Sequence, residues 1–153
     1  MTSYWRMQLH PASPKESAAY CTESLAAGFI GLDFGKDVGD LRRAEASDLP
    51  EGQRDYMDFA KRMKKGDSVL IIAHHFPFAL AKVAGDYNYI ARPEPELGIW
   101  FRHFRRVENV RYYADHHTNV QKWKQLKMVD AFSFLKPDGQ SYELMKAWER
   151  SAP

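Results

Sequence analysis

The chain has 153 residues, 44% hydrophobic and 27% charged, which is enough for one ordinary domain with its own core and too little for two. Lys and Arg (22) nearly balance Asp and Glu (20), and the resulting net charge of +2 excludes a histone-like polycation and a disordered acidic tail. The single cysteine, Cys21, excludes an internal disulfide framework and a cysteine-based zinc cluster. With no apolar run near ~18 residues and no signal-peptide pattern, membrane insertion and export are not expected, and the chain reads as cytoplasmic. Aromatic residues make up 14% of the chain, with 4 Trp, 8 Tyr and 9 Phe. That is more than a core of this size needs, so some rings are expected to face a ligand.

In chain order, Tyr4 to Leu9 alternates as a strand. Ser13-Pro14-Lys15-Glu16 then supplies an N-cap, a first-turn proline and a capping-box glutamate for a helix over Pro14 to Ala27, stopped by Gly28. Phe29 to Gly35 begins as a short strand before glycine loosens it. Tyr56, Phe59, Ala60 and Met63 share a helical face, with Lys61, Arg62, Lys64 and Lys65 suited to the C-terminal end of its dipole. Ser68 to Ala73 reads as a buried central strand. His74 to Pro77 connects it to a partner strand over Phe78 to Ile90, broken at Ala84-Gly85. Arg105 to Tyr113 is a further strand whose Val107 and Val110 break alternation and predict a bulge. Helical stretches over Val120 to Met128 and Ser141 to Arg150 complete the chain. Without regular βαβ alternation, this order predicts an α+β domain built around a small curved sheet or barrel.

Phosphate-loop, nucleophile-elbow and zincin motifs are absent from the sequence. The glycines at 28, 31 and 35 follow a helix, whereas a dinucleotide fingerprint lies between a strand and a helix. The adjacent pairs His74-His75 and His116-His117 can each offer one ligand to a common metal, with Asp86, His103 and Asp115 near in sequence, but loop histidines at strand ends are the simpler reading. Cys21 reads as a packed helix thiol, and Asp33, Asp37 and Asp40 as capping and turn residues.

Charge is polarised along the chain: residues 1–60 carry 6 basic and 10 acidic side chains, and residues 61–153 carry 16 and 10. Arg102, Arg105, Arg106, Arg111, Lys122, Lys124 and Lys127 are interleaved with Trp100, Phe101, Phe104, Tyr112, Tyr113 and Trp123. Cations neutralise phosphates and flat rings stack on bases, so this mixture suits a nucleic-acid surface as well as it suits a half-buried strand and helix.

The order of the segments adds a resemblance. A Tyr4-Trp5-Arg6 strand and a helix precede Gly28-Phe29-Ile30-Gly31-Leu32-Asp33-Phe34 and Gly39-Asp40-Leu41. Then come Gly66-Asp67-Ser68-Val69, Val83-Ala84-Gly85-Asp86-Tyr87-Asn88-Tyr89 and Arg105-Arg106-Val107. Over roughly residues 4 to 113 this resembles the EVE and YTH branch of the PUA-like superfamily, most closely the N-terminal DNA-binding domains of McrB-type modification-dependent restriction GTPases. The resemblance implies a small curved β-barrel flanked by helices. It also implies a noncatalytic domain that flips a modified base, a modified cytosine or N6-methyladenine, into an aromatic pocket.

By position in that family, the pocket falls on Trp5, Leu32, Asp33, Phe34, His74, His75 and Phe76, with Asp33 accepting from an exocyclic amino group. YTH-type readers carry a tryptophan in the post-helix segment where this chain has Leu32 and Phe34, so either Phe34 and Phe76 stack on the base or the ligand is not N6-methyladenine. Arg42, Arg43, Arg102, Arg105, Arg106, Lys122 and Lys124 are the expected phosphate contacts. The expected partners are modified double-stranded DNA, a GTPase motor in cis, for which residues 1–153 would be one excised reading domain, and a nuclease subunit in trans; no cofactor, metal or membrane is expected. The alternatives are an EVE- or YTH-type RNA-binding module and a small metal-dependent hydrolase built on the histidines with Asp33, Asp37 or Asp40.

Overall fold

The computed structural model describes residues 2–9, 14–34, 36–73, 76–97, 99, 101–113 and 132–151. Among these residues the elements are β1 (Tyr4–Gln8), α1 (Pro14–Ala27), β2 (Phe29–Leu32), α2 (Asp58–Lys61), β3 (Ser68–Ala73), β4 (Phe76–Val83), β5 (Asn88–Tyr89), β6 (His103–Tyr112), β7 (Phe132–Phe134) and α3 (Gln140–Ser151). The strands form one sheet in the order β2-β6-β4-β3-β1-β7, with β5 added on β6. The sheet curls strongly into a half barrel, so the domain is mixed α+β.

The central position of β3 explains its unbroken apolar sequence. Val69 and Ile71 join the main core with Trp5, Met7, Ile30 and Phe59, whereas Leu70 and Ile72 pack on the other face with Leu80, Tyr113, Met145 and Trp148. Both faces of the strand are therefore covered, and alternation between polar and apolar side chains has no reason to exist. Each such aliphatic side chain contributes about 1.5–3 kcal/mol by leaving water. Helix α1 packs on β2 and β3 and sends Cys21 and Leu25 into the main core. Its end follows the sequence: Gly28 takes φ +87° and its N–H donates to the Leu25 carbonyl.

Strand β6 produces much of the curl. Its first half pairs with β2 and β5 and its second half with β4. Between these partners the register shifts, Leu80 facing Arg111 and Lys82 facing Glu108, and Asn109 adopts φ +52°. This is the bulge foreshadowed by the broken alternation, and it bends the long strand. Gly31 is needed where β2 crosses the start of β6, because a Cβ there would lie 2.5 Å from the His103 carbonyl and 2.6 Å from the Phe101 ring.

Two expectations change, and one strand is added. The helix expected around Tyr56 to Met63 is a 3-10 turn over Arg54–Met57 running into the single turn of α2, because the N–H groups of Arg62 and Met63 both close back on the Asp58 carbonyl. Its apolar face is nevertheless buried through Tyr56, Met57, Phe59 and Met63. β4 begins at Phe76, so the link from β3 is shorter than expected. β7 has only three residues, too few to show a period, and it forms because β1 offers it an antiparallel edge. The helical stretch expected over 120–128 lies outside the described residues.

Candidate functional site

The post-helix pocket segment folds inward. Leu32 and Phe34 are buried in the main core, and Trp5 is fully buried. The rings of Phe132, Tyr56, Phe34, His103, Tyr87 and Phe59 form a closed circuit, with successive centroid separations of 6.2, 6.1, 5.3, 5.9, 6.2 and 5.6 Å back to Phe132. These edge and stacked contacts lock the interior of the half barrel. Leu32 and Phe34 are therefore core residues, and a base cannot reach Phe34 without opening this circuit. Trp5, expected in the pocket, is also enclosed: its indole lies against Phe132 at 5.1 Å and 15°, and its N–H donates to Asp67.

Asp33 is also committed. One carboxylate oxygen accepts from the Phe34 N–H at 2.8 Å and from Arg102 Nη1 at 2.9 Å. It therefore has a structural partner where an exocyclic amino group was expected. Asp37 accepts from the Tyr89 hydroxyl and the Gly39 N–H, which hold its carboxyl below the ordinary range. Asp40 is held down by Arg42, which grips it through Nε and Nη2. The three carboxylates thus serve three separate local structures, and among the described residues no group of three His, Cys, Asp or Glu is arranged to hold a metal. His74, His75, His116 and His117 lie outside the described residues, as does the side chain of Phe76.

His103 occupies the meeting point of the rings. Its Nδ1 is 2.6 Å from the Tyr87 hydroxyl, which accepts the Leu41 N–H at 3.0 Å. Burial pushes the Tyr87 hydroxyl up to about 12 and pushes the imidazole below its ordinary value, so the neutral pair is favoured. The imidazole tautomer sets which of the two groups donates in this contact, and Nε2 has no hydrogen-bond partner among the described residues.

A cleft bordered by the half-buried ring of Phe134 lies beside this core. Asp55, Tyr56, Asp58 and Arg62 face Phe132, Phe134 and Lys136 across a cleft of about 340 Å³. That is within the span of small-ligand sites, roughly 300–1,000 Å³. The Arg62 guanidinium lies 3.7 Å from the Phe134 ring centroid and 5.8 Å from the Trp5 ring, so the cleft already holds one flat group on an aromatic face. Asp58 sits 3.8 Å from Arg62, and burial lifts its carboxyl above the ordinary value against the opposing pull of that guanidinium. Rings for stacking, a carboxylate acceptor and two cations therefore converge. Trp5 supports the cleft from beneath through Phe132 and Phe134.

A domain of unknown function, DUF8426, matches residues 5–134. The chain belongs to this family. No curated protein matches it. The matched DUF8426 span begins at Trp5 and ends at Phe134, two residues that face each other across the β1–β7 pairing with their rings 5.1 Å apart. The aromatic cleft of this DUF8426 domain thus lies where the ends of the matched region meet.

The expected phosphate contacts divide. Arg105 is withdrawn: it is buried, and its guanidinium donates to the carbonyls of Phe59, Gly85, Ala60 and Met63 at 2.7–3.3 Å. Its alternation partner Arg106 is exposed, as is Arg43. Arg42 is exposed but bonded to Asp40, and Arg102 is half-buried on Asp33. Lys122 and Lys124 lie outside the described residues. Tyr56, Asp58, Arg62 and Phe134 of the DUF8426 cleft were not singled out as site residues. In the sequence Tyr56 belongs only to a helix face and Arg62 only to the C-terminal end of its dipole, and the three residues of β7 are too few to signal a strand.

Proposed function

We propose that this DUF8426 domain is a PUA-like, noncatalytic reader that flips a modified base of double-stranded DNA into the Tyr56–Phe134 cleft. It would direct a McrB-type GTPase in cis and a nuclease subunit in trans. The observation that carries the reading is the Arg62 guanidinium seated on the Phe134 ring beside the Asp58 carboxylate. A flat, amino-bearing heterocycle has the same two requirements, a ring face and an acceptor for its N–H. The curled mixed sheet, the short motifs shared with EVE and YTH domains, and exposed cations near the cleft support the same reading. Flipping costs a few kcal/mol, which stacking and edge hydrogen bonds in such a cleft offset.

In this reading the stacking role passes from Phe34 to the half-buried Phe134, with Tyr56 in the wall of the cleft, and the acceptor role from Asp33 to Asp58. The test is a set of duplexes identical except for one base: unmodified, 5-methylcytosine, 5-hydroxymethylcytosine, N4-methylcytosine or N6-methyladenine. Preference for one modified duplex is expected. Equal affinity for all five would overturn the proposal, and stronger binding to unmodified single-stranded RNA would replace it with an RNA-reading role.

A further inference from the structure

The segment that supplies one wall of the aromatic cleft turns its opposite side to a second, open groove of about 570 Å³. Arg42, Lys64, Lys65 and Arg105 line it, against the single carboxylate of Asp86, with Tyr87 in the wall. We propose that this groove is the track for the phosphate backbone of the bound nucleic acid, with Lys64 and Lys65 as its direct contacts.

The argument rests on how the charges are held. Lys64 and Lys65 sit on a turn that cannot drift: Gly66 takes φ +92° and donates its N–H to the Val83 carbonyl, and the Lys64 N–H donates to the buried Asp67 carboxylate. A turn fixed at both ends needs no backbone ordering on binding, which leaves only the rotamer freedom of the two lysine side chains to be lost. Neither is neutralised at close range. Lys65 meets Asp86 only at 3.8 Å, with both side chains largely in solvent, and no carboxylate pairs with Lys64 among the described residues. Such an exposed pair contributes little and exchanges readily for a phosphate.

Beneath them lies a guanidinium held by neutral carbonyls. Arg105 spends its donors on four backbone carbonyls and has no ion-pair partner among the described residues. This buried cation, partly offset by Asp86 and Asp67, adds to the positive potential of the groove above it, although it offers no hydrogen bond to the ligand. Arg42 lies 5.4 Å from the Tyr87 ring centroid, held in the wall by Asp40. A polyanion is the ligand class that fits, and its identity as nucleic acid rests on the reading proposed above.

The test uses the whole chain and a short labelled duplex, modified and unmodified, titrated across a salt series. The Lys64→Ala/Lys65→Ala variant should bind both duplexes about tenfold more weakly, and its slope of log affinity against log salt should be shallower by about 2. Both lysines are exposed, and unchanged thermal unfolding of the variant confirms that it is folded. Unaltered affinity and slope, with base discrimination intact, would remove the groove and leave the modified-base reading standing. Loss of affinity in the variant from a wild-type protein that does not discriminate bases would keep the groove and remove that reading. A wild-type protein that binds neither duplex would remove both, and loss of discrimination without a change in salt slope would assign the lysines to the base rather than the backbone.

Discussion

The indole N–H of Trp5 donates to Asp67 Oδ2 at 2.9 Å, tying the first strand to the turn that opens β3. The same carboxylate accepts the Ser3 N–H at 3.0 Å and the Lys64 N–H at 3.1 Å. Three donors from two segments depend on one buried residue. Asp67→Ala should therefore destabilise the domain by about 3 kcal/mol or more, since buried donors left without an acceptor cost about 1–3 kcal/mol each. Urea unfolding measures this; a loss below about 1 kcal/mol would show that water or another acceptor replaces the carboxylate.

Arg105 carries a comparable burden at the opposite side of that turn. Its guanidinium gathers carbonyls from Phe59, Ala60 and Met63 together with Gly85, joining the α2 segment to the β4–β5 corner. Arg105→Ala strands these acceptors and should cost about 3–5 kcal/mol. Arg105→Lys should recover only part of it, because a single ammonium cannot reproduce the planar fork. A variant that unfolds at the wild-type temperature but loses duplex affinity would instead return Arg105 to the phosphate contacts.

At the cleft, Phe134→Ala should abolish discrimination between modified and unmodified duplex, worth about 1–3 kcal/mol of stacking, while leaving the salt dependence unchanged. Tyr56→Ala removes a buried core ring as well and should lower stability in addition. Fluorescence anisotropy on the two duplexes, paired with thermal unfolding, separates these effects. Retained discrimination in Phe134→Ala would place the base elsewhere.

His103 gives the domain a pH dependence. Burial lowers its folded-state value below the ordinary 6.5, opposed by Asp33 and Asp37 and reinforced by Arg102. The unfolded chain then binds the extra proton first, so stability rises with pH. The contribution is complete above about 6.5 and is lost as pH falls from there toward the folded-state value. The unfolding midpoint should drop as pH decreases from 7 to about 5, and His103→Gln should flatten that dependence at some cost at pH 7. Parallel pH profiles for the two proteins would exclude His103 as its source.

Local signals were legible wherever a segment's shape depends on its own residues. α1 begins at Pro14 and Gly28 closes it, the apolar run from Ser68 to Ala73 became the doubly covered β3, and the irregular valines of β6 marked its bulge. The short motifs that carried the resemblance have structural duties here: Asp67 anchors Trp5, Tyr87 bonds His103, and Arg105 joins two loops. Cysteine content, charge polarity along the chain and the α+β class were likewise set by the sequence alone.

Only the tertiary structure decided which rings are enclosed and which border a cleft. Phe34 and Phe134 are both phenylalanines near a strand end, yet curling of the sheet closes the first into a circuit with five other rings and leaves the second beneath an arginine at the cleft. The same holds for the cations, since the alternation of β6 turns Arg105 inward and Arg106 outward, and the fold finds carbonyls for one and solvent for the other. A residue's type fixes what it can bind. Whether it is free to do so depends on partners brought from distant segments, and here the curl and register of one sheet select them.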